Sequence, residues 1–188
     1  MLRRKVASKP ETVTAAAVVE HLSAANLNCL AIDFDHTLID IHTGGCWKGT
    51  LEELTPHFRP IFTELLTAAL DSASMQVAVV TFSRQPDLIR RVLDTAIGNE
   101  RAARIVIRGN DPSWTYEGRG SQHGKQPHMA SAVEELEQSS HAKITKSSTL
   151  LIDDDQRNVK IALENGVRAV LFLPKRPEKL LRDLMLLS

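Results

Sequence analysis

The sequence predicts an α/β fold, a Rossmann-like three-layer sandwich on a central parallel sheet, and three observations carry that prediction. Short runs of apolar β-formers alternate with stretches of helical spacing, the pattern of successive β–α–β units. The runs Leu30-Ala31-Ile32, Val77-Ala78-Val79-Val80 and Leu150-Leu151-Ile152 are apolar throughout, as in strands buried on both faces. Acidic residues then follow two of those runs directly: Asp33 and Asp35 the first, Asp153-Asp154-Asp155 the last. Ionised carboxylates are too costly for the middle of a buried strand. They belong at its carboxyl end, where open α/β sheets place their ligand crevice.

In chain order, Glu11 to Asn26 carry Ala, Val and Leu at helical spacing after Pro10, with Thr12 or Thr14 as the cap, so a helix leads into the first strand. Residues Ile39 to Thr50 contain Gly44, Gly45 and Gly49 and read as a loop or small hairpin over the site, with Trp47 placed to cover a ligand. Pro56 is expected to open an amphipathic helix to about Leu70, with Phe58, Ile61, Phe62, Leu65, Leu66 and Ala69 on its apolar side. Gln76 to Phe82 reads as the second strand, followed by Ser83. A helix is predicted from Pro86 to about Ile97, before Gly98, and a third strand from Arg104 to Arg108. Gly109 to Gly124 form a long loop with Trp114 and Tyr116 inside it, a length usually tied to function, and are expected at the rim of the site. Lys125 closes that loop, and Pro127 starts a helix through about Gln138. The strand ending at Asp153 follows, then a helix from Gln156 to Asn165 stopped by Gly166, with Asp155 as its cap. Val167 to Phe172 make a fifth strand, and the leucine-rich tail closes as a helix.

A length of 188 residues suits one domain over 1–188, with 1–27 as an N-terminal tail and helix. The 23 Lys and Arg balance the 23 Asp and Glu, so neither nucleic acid nor a membrane surface is expected as an electrostatic partner. The two cysteines, Cys29 and Cys46, have no metal-ligand spacing and read as reduced thiols of a cytoplasmic protein. No stretch is long and apolar enough to span a bilayer, and no secretory apolar region follows Met1. The basic run Met1-Leu2-Arg3-Arg4-Lys5 is only a faint match to a transit peptide.

If the strands ending at Asp33 and Asp153 lie side by side, their carboxylates converge and repel unless a hard cation such as Mg2+ joins them through oxygen ligands. A phosphoryl group needs an in-line nucleophile, a metal, donors for its oxygens and an acid for the leaving group, and this set supplies all four. Asp33 would attack phosphorus and form an aspartyl phosphate, while Asp35 would protonate the leaving oxygen and then activate water. Thr81 and Lys125 would hold the phosphoryl oxygens, with Ser83 as a second register for the hydroxyl. The metal would sit on Asp33, on Asp35 through its backbone carbonyl, and on Asp153 and Asp154.

Asp33-Phe34-Asp35-His36-Thr37, Thr81, Lys125 and Asp153-Asp154 with Asn158 resemble, in order, the four motifs of haloacid dehalogenase-like phosphatases. The resemblance covers Leu30 to Phe172 and implies a parallel strand order 5-4-1-2-3 and dependence on Mg2+. It also implies Asp33 as nucleophile, Asp35 as acid and base, Thr81 and Lys125 as phosphate ligands, Asp154 as direct metal ligand, and Asp153 and Asn158 in support. Lys125-Gln126-Pro127-His128-Met129 and the run Ile152 to Val159 are most similar to the eukaryotic magnesium-dependent phosphatase group. Phe34 and His36 depart from the residues usual at those positions.

The intervals Asp40 to Ala73 and Arg84 to Gly124 leave no room for the large cap domain of bigger relatives. The resemblance associates such an open site with phosphomonoester substrates, whether a phosphoprotein or a small molecule. A phospho-accepting receiver is rejected by the order of the motifs, since it would need a late lysine where this chain has an acidic triplet. The alternative is a catalytically inactive phosphate- or phosphopeptide-binding module of the same fold, which could lose Asp33 or Asp35 freely. A dehalogenase has no need of Asp35, and mutases generally carry a cap. His36, His42 and His128 read as surface or supporting groups, because no pair has ligand spacing. Trp47, Trp114 and Tyr116 are balanced between loop packing and substrate contact.

Overall fold

The structure is a computed structural model that describes residues 13–112, 114 and 122–188. Helix α1 (Ala15–Ala24) is capped by Thr14, whose hydroxyl accepts from Ala17 N–H at 3.2 Å, and it leads into β1 (Cys29–Ile32). There follow α2 (Leu51–Leu54), α3 (Pro60–Asp71), β2 (Gln76–Val80), α4 (Pro86–Ile97), α5 (Asn99–Ala102) and β3 (Val106–Arg108). The second half holds α6 (Gln126–Ser140), β4 (Thr149–Asp153), α7 (Gln156–Glu164), β5 (Arg168–Leu171) and α8 (Leu180–Leu184). The five strands pair in parallel in the order β3-β2-β1-β4-β5, which is the predicted 5-4-1-2-3 read from the other edge.

The pleat divides each strand between two apolar layers. Leu30, Ile32, Val77, Val79, Leu150 and Ile152 join the core built with α1, α3, α4 and α8, while Cys29, Ala31, Ala78, Val80 and Leu151 face Met129, Ala132 and Leu136 of α6 and Ala162 of α7. Both faces are thus covered, as a parallel sheet requires. Burial also pushes the Cys29 thiol up to about 12, which keeps it protonated. Register does the rest: Ile32 pairs with Val79 on one side and Ile152 on the other, so the residues after them reach one edge together.

Several expected boundaries shift. The helix expected from Pro56 begins at Pro60 instead, because Phe58 is extended and bridges Ile39 antiparallel, with Arg59 N–H donating to Leu38 O at 2.9 Å. Phe58 is therefore buried beside the helix and not on it. Upstream, α2 is an unanticipated turn closed by a capping box between Thr50 and Glu53. Arg104 lies outside β3, which the added turn α5 shortens. Helix α4 runs as predicted and stops at Gly98, where φ is +84°. Thr12, Tyr116 and the basic run at Met1 lie outside the described residues. Among the described residues, no helix is long and apolar enough to cross a membrane.

Candidate active site

Where β1 ends, the Asp33 N–H still donates to Ile152 O at 3.0 Å, so the sheet ladder carries this residue to the crevice. The chain then turns sharply through His36, held at φ +58°, while the buried Phe34 and Leu38 pin the turn to the core. Asp33 and Asp35 both emerge into a cavity of about 510 Å³, which is also lined by Thr81, Phe82, Lys125, Asp153, Asp154 and Asn158.

Lys125 arrives from the far side of the sheet, at the start of α6. Gly124 before it takes φ +52°, and a β-carbon there would lie 3.3 Å from Asn158 Oδ1, so glycine is what lets the chain pass. The lysine is 2% exposed, and its Nζ donates to Asp33 Oδ1 at 2.5 Å. Thr81 follows β2, and its Oγ1 accepts from Ser83 N–H at 3.1 Å. Ser83 itself is turned aside. Its hydroxyl donates to Gly45 O at 3.4 Å and accepts from Gln85 N–H at 3.3 Å, and Thr81 lines the cavity where Ser83 does not.

Asp153 is fully buried, with Oδ1 accepting from Asp155 N–H at 2.9 Å and Oδ2 from Asn158 Nδ2 at 3.0 Å. Asp154 Oδ1 accepts from Thr37 Oγ1, whose oxygen in turn accepts from Asp154 N–H, both at 3.2 Å. Asp155 caps α7 as expected, accepting from Arg157 N–H at 2.8 Å.

Asp33, Asp153 and Asp154 each bring a carboxylate oxygen to within 4.8 Å of the others. Burial pushes Asp33 above the usual carboxylate range, with the Lys125 ammonium opposing it, and it also raises Asp154. Asp153 is pushed up to about 7, first by burial and then by the charge of Asp33. Three clustered carboxylates and one buried ammonium leave an excess of negative charge on oxygen-only donors, which fits a hard divalent cation.

A stability prediction follows, since an unfolded carboxyl ionises near 4 and Asp153 only near 7. Between those values the metal-free native state holds more protons than the unfolded chain, so its stability must fall as pH rises. In EDTA the thermal midpoint is expected to drop by several degrees from pH 5 to pH 7.5. With Mg2+ present the drop should shrink or reverse. A midpoint in EDTA that rises over this interval contradicts the reading of the cluster.

The side chain of Asp35 is not in the cluster of Asp33, Asp153 and Asp154. Both its oxygens are taken by one loop residue: Thr43 N–H donates to Oδ1 and Thr43 Oγ1 to Oδ2, each at 3.0 Å. That loop is fastened in turn, because Gly45 O accepts from Arg84 N–H at 2.9 Å just beyond β2. His42 Nδ1 lies 3.8 Å from Asp35 but accepts from Gly44 N–H at 2.7 Å, so that nitrogen carries no proton toward the carboxylate.

Three rings left open between alternatives take definite places. Trp47 does not face the carboxylates: its backbone N–H donates to Gln85 Oε1 and its O accepts from Gln85 Nε2, and its ring lines a neighbouring cleft. Of the two readings of His128, surface or supporting, the structure gives the second: it is fully buried, with Nε2 at 2.8 Å from Asn110 Oδ1 and Trp114 packed against its ring at 4.8 Å. Trp114 therefore packs behind the site and is not among the residues that line it. Sequence reasoning quoted Thr37 in the first motif without giving it a role and missed Thr43 and Phe82, since a lone hydroxyl in a glycine-rich loop and an aromatic after a strand have no periodicity or spacing to mark them.

No protein-family model matches the chain, and no curated protein matches it in sequence. Among solved structures it is similar to the N-terminal part of a Bacteroides fragilis protein containing a phosphatase domain complexed with Mg, with a TM-score of 0.56 and 15% identity over 90% of this chain. The match spans 43% of that chain, and it shows a shared fold. A second is the HAD domain of effector protein Lem4 from Legionella pneumophila, with a TM-score of 0.49 and 13% identity over 85% of this chain and 94% of that one. An uncharacterized protein from Corynebacterium glutamicum has a TM-score of 0.45 and 18% identity over 86% of this chain and 97% of that one.

Proposed function

We infer that this chain is a haloacid dehalogenase-like hydrolase, a Mg2+-dependent phosphomonoester phosphatase that works through an aspartyl phosphate on Asp33. The observation that carries the reading is the meeting of Asp33, Lys125, Asp153 and Asp154, from separate elements, in one cavity at the carboxyl edge of a parallel sheet. The narrower likeness to the eukaryotic magnesium-dependent phosphatases rests on the sequence motifs alone.

In this mechanism the free carboxylate oxygen of Asp33 attacks phosphorus in line with the ester oxygen, and the phosphorus–ester bond breaks with its electrons leaving on that oxygen. Asp35 gives its proton to the leaving oxygen and, now a carboxylate, takes a proton from the water that attacks the phosphoryl group. That second attack returns Asp33 as a carboxylate and releases inorganic phosphate. The Lys125 ammonium and Thr81 hydroxyl bind the non-bridging oxygens, and the Lys125 charge opposes the upward push of burial on Asp33. Mg2+, held by Asp33, Asp153 and Asp154, would neutralise charge on those oxygens when bound. Asn158 fixes Asp153, and Thr37 fixes Asp154.

Between Asp35 and β2, and again between Thr81 and Lys125, the described residues form loops, short helices and β3, with no inserted domain. A site without an inserted domain suits a phosphoprotein or another bulky phosphomonoester. The test is phosphate release from para-nitrophenyl phosphate and from a panel of phosphopeptides and small phosphomonoesters. EDTA should silence turnover and Mg2+ restore it. Full activity in EDTA would sink the metal assignment, and binding of phosphate without any turnover would favour the inactive module.

A further inference from the structure

Phe82 stands between two residues whose side chains are locked, Thr81 and Ser83, and its ring lines the cavity. The Lys125 Nζ lies over the face of that ring, 4.0 Å from its centroid. Among the described residues Nζ makes one hydrogen bond, to Asp33 Oδ1, although an ammonium has three donors and this one is almost completely removed from solvent. A buried cation needs more compensation than one carboxylate that is already crowded by two others, Asp153 and Asp154. The negative face of an aromatic ring supplies it without acting as a hydrogen-bond acceptor. Behind the ring, His128 meets Phe82 at nearly a right angle, 88°, with centroids 5.1 Å apart, and Trp114 backs His128 in turn. Burial, helped by Lys125 and Arg108, pushes His128 down to about 3, so this buttress brings no positive charge against the lysine.

We propose that Phe82 is a positioning residue for the phosphoryl-binding lysine: its ring face holds the Lys125 ammonium by a cation–π contact and leaves the remaining N–H donors for the incoming phosphoryl oxygens. A serine, asparagine or acidic group there would stabilise the same charge by taking a donor away from the substrate. The ring also sets the height of Nζ in the cavity, since Thr81 and Ser83 fix the backbone that carries it. The role in substrate binding rests on the phosphatase reading above. The contact itself does not.

The test alters the ring's charge and not its shape. In the full chain Phe82 is replaced by 4-fluoro-, 3,5-difluoro- and 3,4,5-trifluorophenylalanine, each step withdrawing charge from the face. The unfolding equilibrium constant, from urea titration in metal-free buffer, is expected to rise in that order by roughly two- to thirtyfold across the series. In a Lys125→Met background the same series should show no trend, because the cation is gone. In the Lys125 chain kcat/KM for para-nitrophenyl phosphate should fall in the same order, whereas Phe82→Trp, with a richer ring, should keep more activity than Phe82→Leu. No folding trend, or an equal trend without Lys125, overturns the contact. A folding trend with kcat/KM unmoved would leave the ring structural and overturn the positioning role. The folding cycle needs no catalysis, so a chain that hydrolyses no phosphomonoester would sink the phosphatase reading while this contact was still judged.

Discussion

Asp33→Asn is expected to abolish turnover, with a loss on the order of ten-thousandfold or more, while the protein still folds. The amide is nearly isosteric with the carboxylate, and its carbonyl oxygen can still accept from Lys125 Nζ, now 2.5 Å from Asp33 Oδ1. Removing one partner of a buried ion pair usually destabilises strongly, by about 3–5 kcal/mol. Here the loss is offset, because the same change removes one of three carboxylates that crowd within 4.8 Å. The circular dichroism spectrum should therefore match the parent, and the thermal midpoint should respond less to Mg2+, since one oxygen ligand has lost its charge. Appreciable steady-state activity in this variant would remove Asp33 from the nucleophile's role.

Asp35→Asn separates the two carboxylates of the first motif. The general acid matters most when the leaving group is poor, and such catalysis is typically worth roughly a hundred- to ten-thousandfold. Alkyl phosphates should then lose far more phosphorylation rate than para-nitrophenyl phosphate, whose aryl oxide departs with little protonation. Breakdown of the aspartyl phosphate should slow for every substrate, because the proposed mechanism also has Asp35 activate the water, so the contrast belongs to the first turnover and needs rapid quench. The variant is a fair test of chemistry, since an asparagine oxygen can still accept from Thr43, which now donates to both oxygens of Asp35 at 3.0 Å. An equal loss for alkyl and aryl substrates would mean that Asp35 is not the acid.

How much of this was legible follows from the kind of signal each residue leaves. The strands announce themselves because a sheet covered on both faces demands unbroken apolar runs, and Leu30-Ala31-Ile32 and Leu150-Leu151-Ile152 satisfy both layers. Asp33, Asp35, Asp153 and Asp154 were readable for the opposite reason, as charges abutting those runs. Thr81 and Lys125 needed the order of motifs, and the geometry then brought them into the same cavity. The start of α3 was not readable, because Pro56 and Pro60 are both competent at a first helical turn and only the bridge from Phe58 to Ile39 decides between them. Thr43 was hidden because it acts across a loop through one hydroxyl and one N–H. Phe82 read as the last apolar residue of a strand, and nothing in the sequence says that its ring would lie under the ammonium of Lys125.

The central claim is a phosphoryl group carried covalently by Asp33, and the most direct measurement is to catch it there. The Asp35→Asn chain, in which breakdown should be slow, is mixed with a phosphomonoester labelled in its phosphoryl group and Mg2+, quenched in acid within the first turnover and digested for peptide mapping. The account predicts label that is released by hydroxylamine, as an acyl phosphate is, on the peptide bearing Asp33, and its absence when Asp33→Asn is added. Label on any other residue, or a first turnover of phosphate release with no labelled protein, would contradict it.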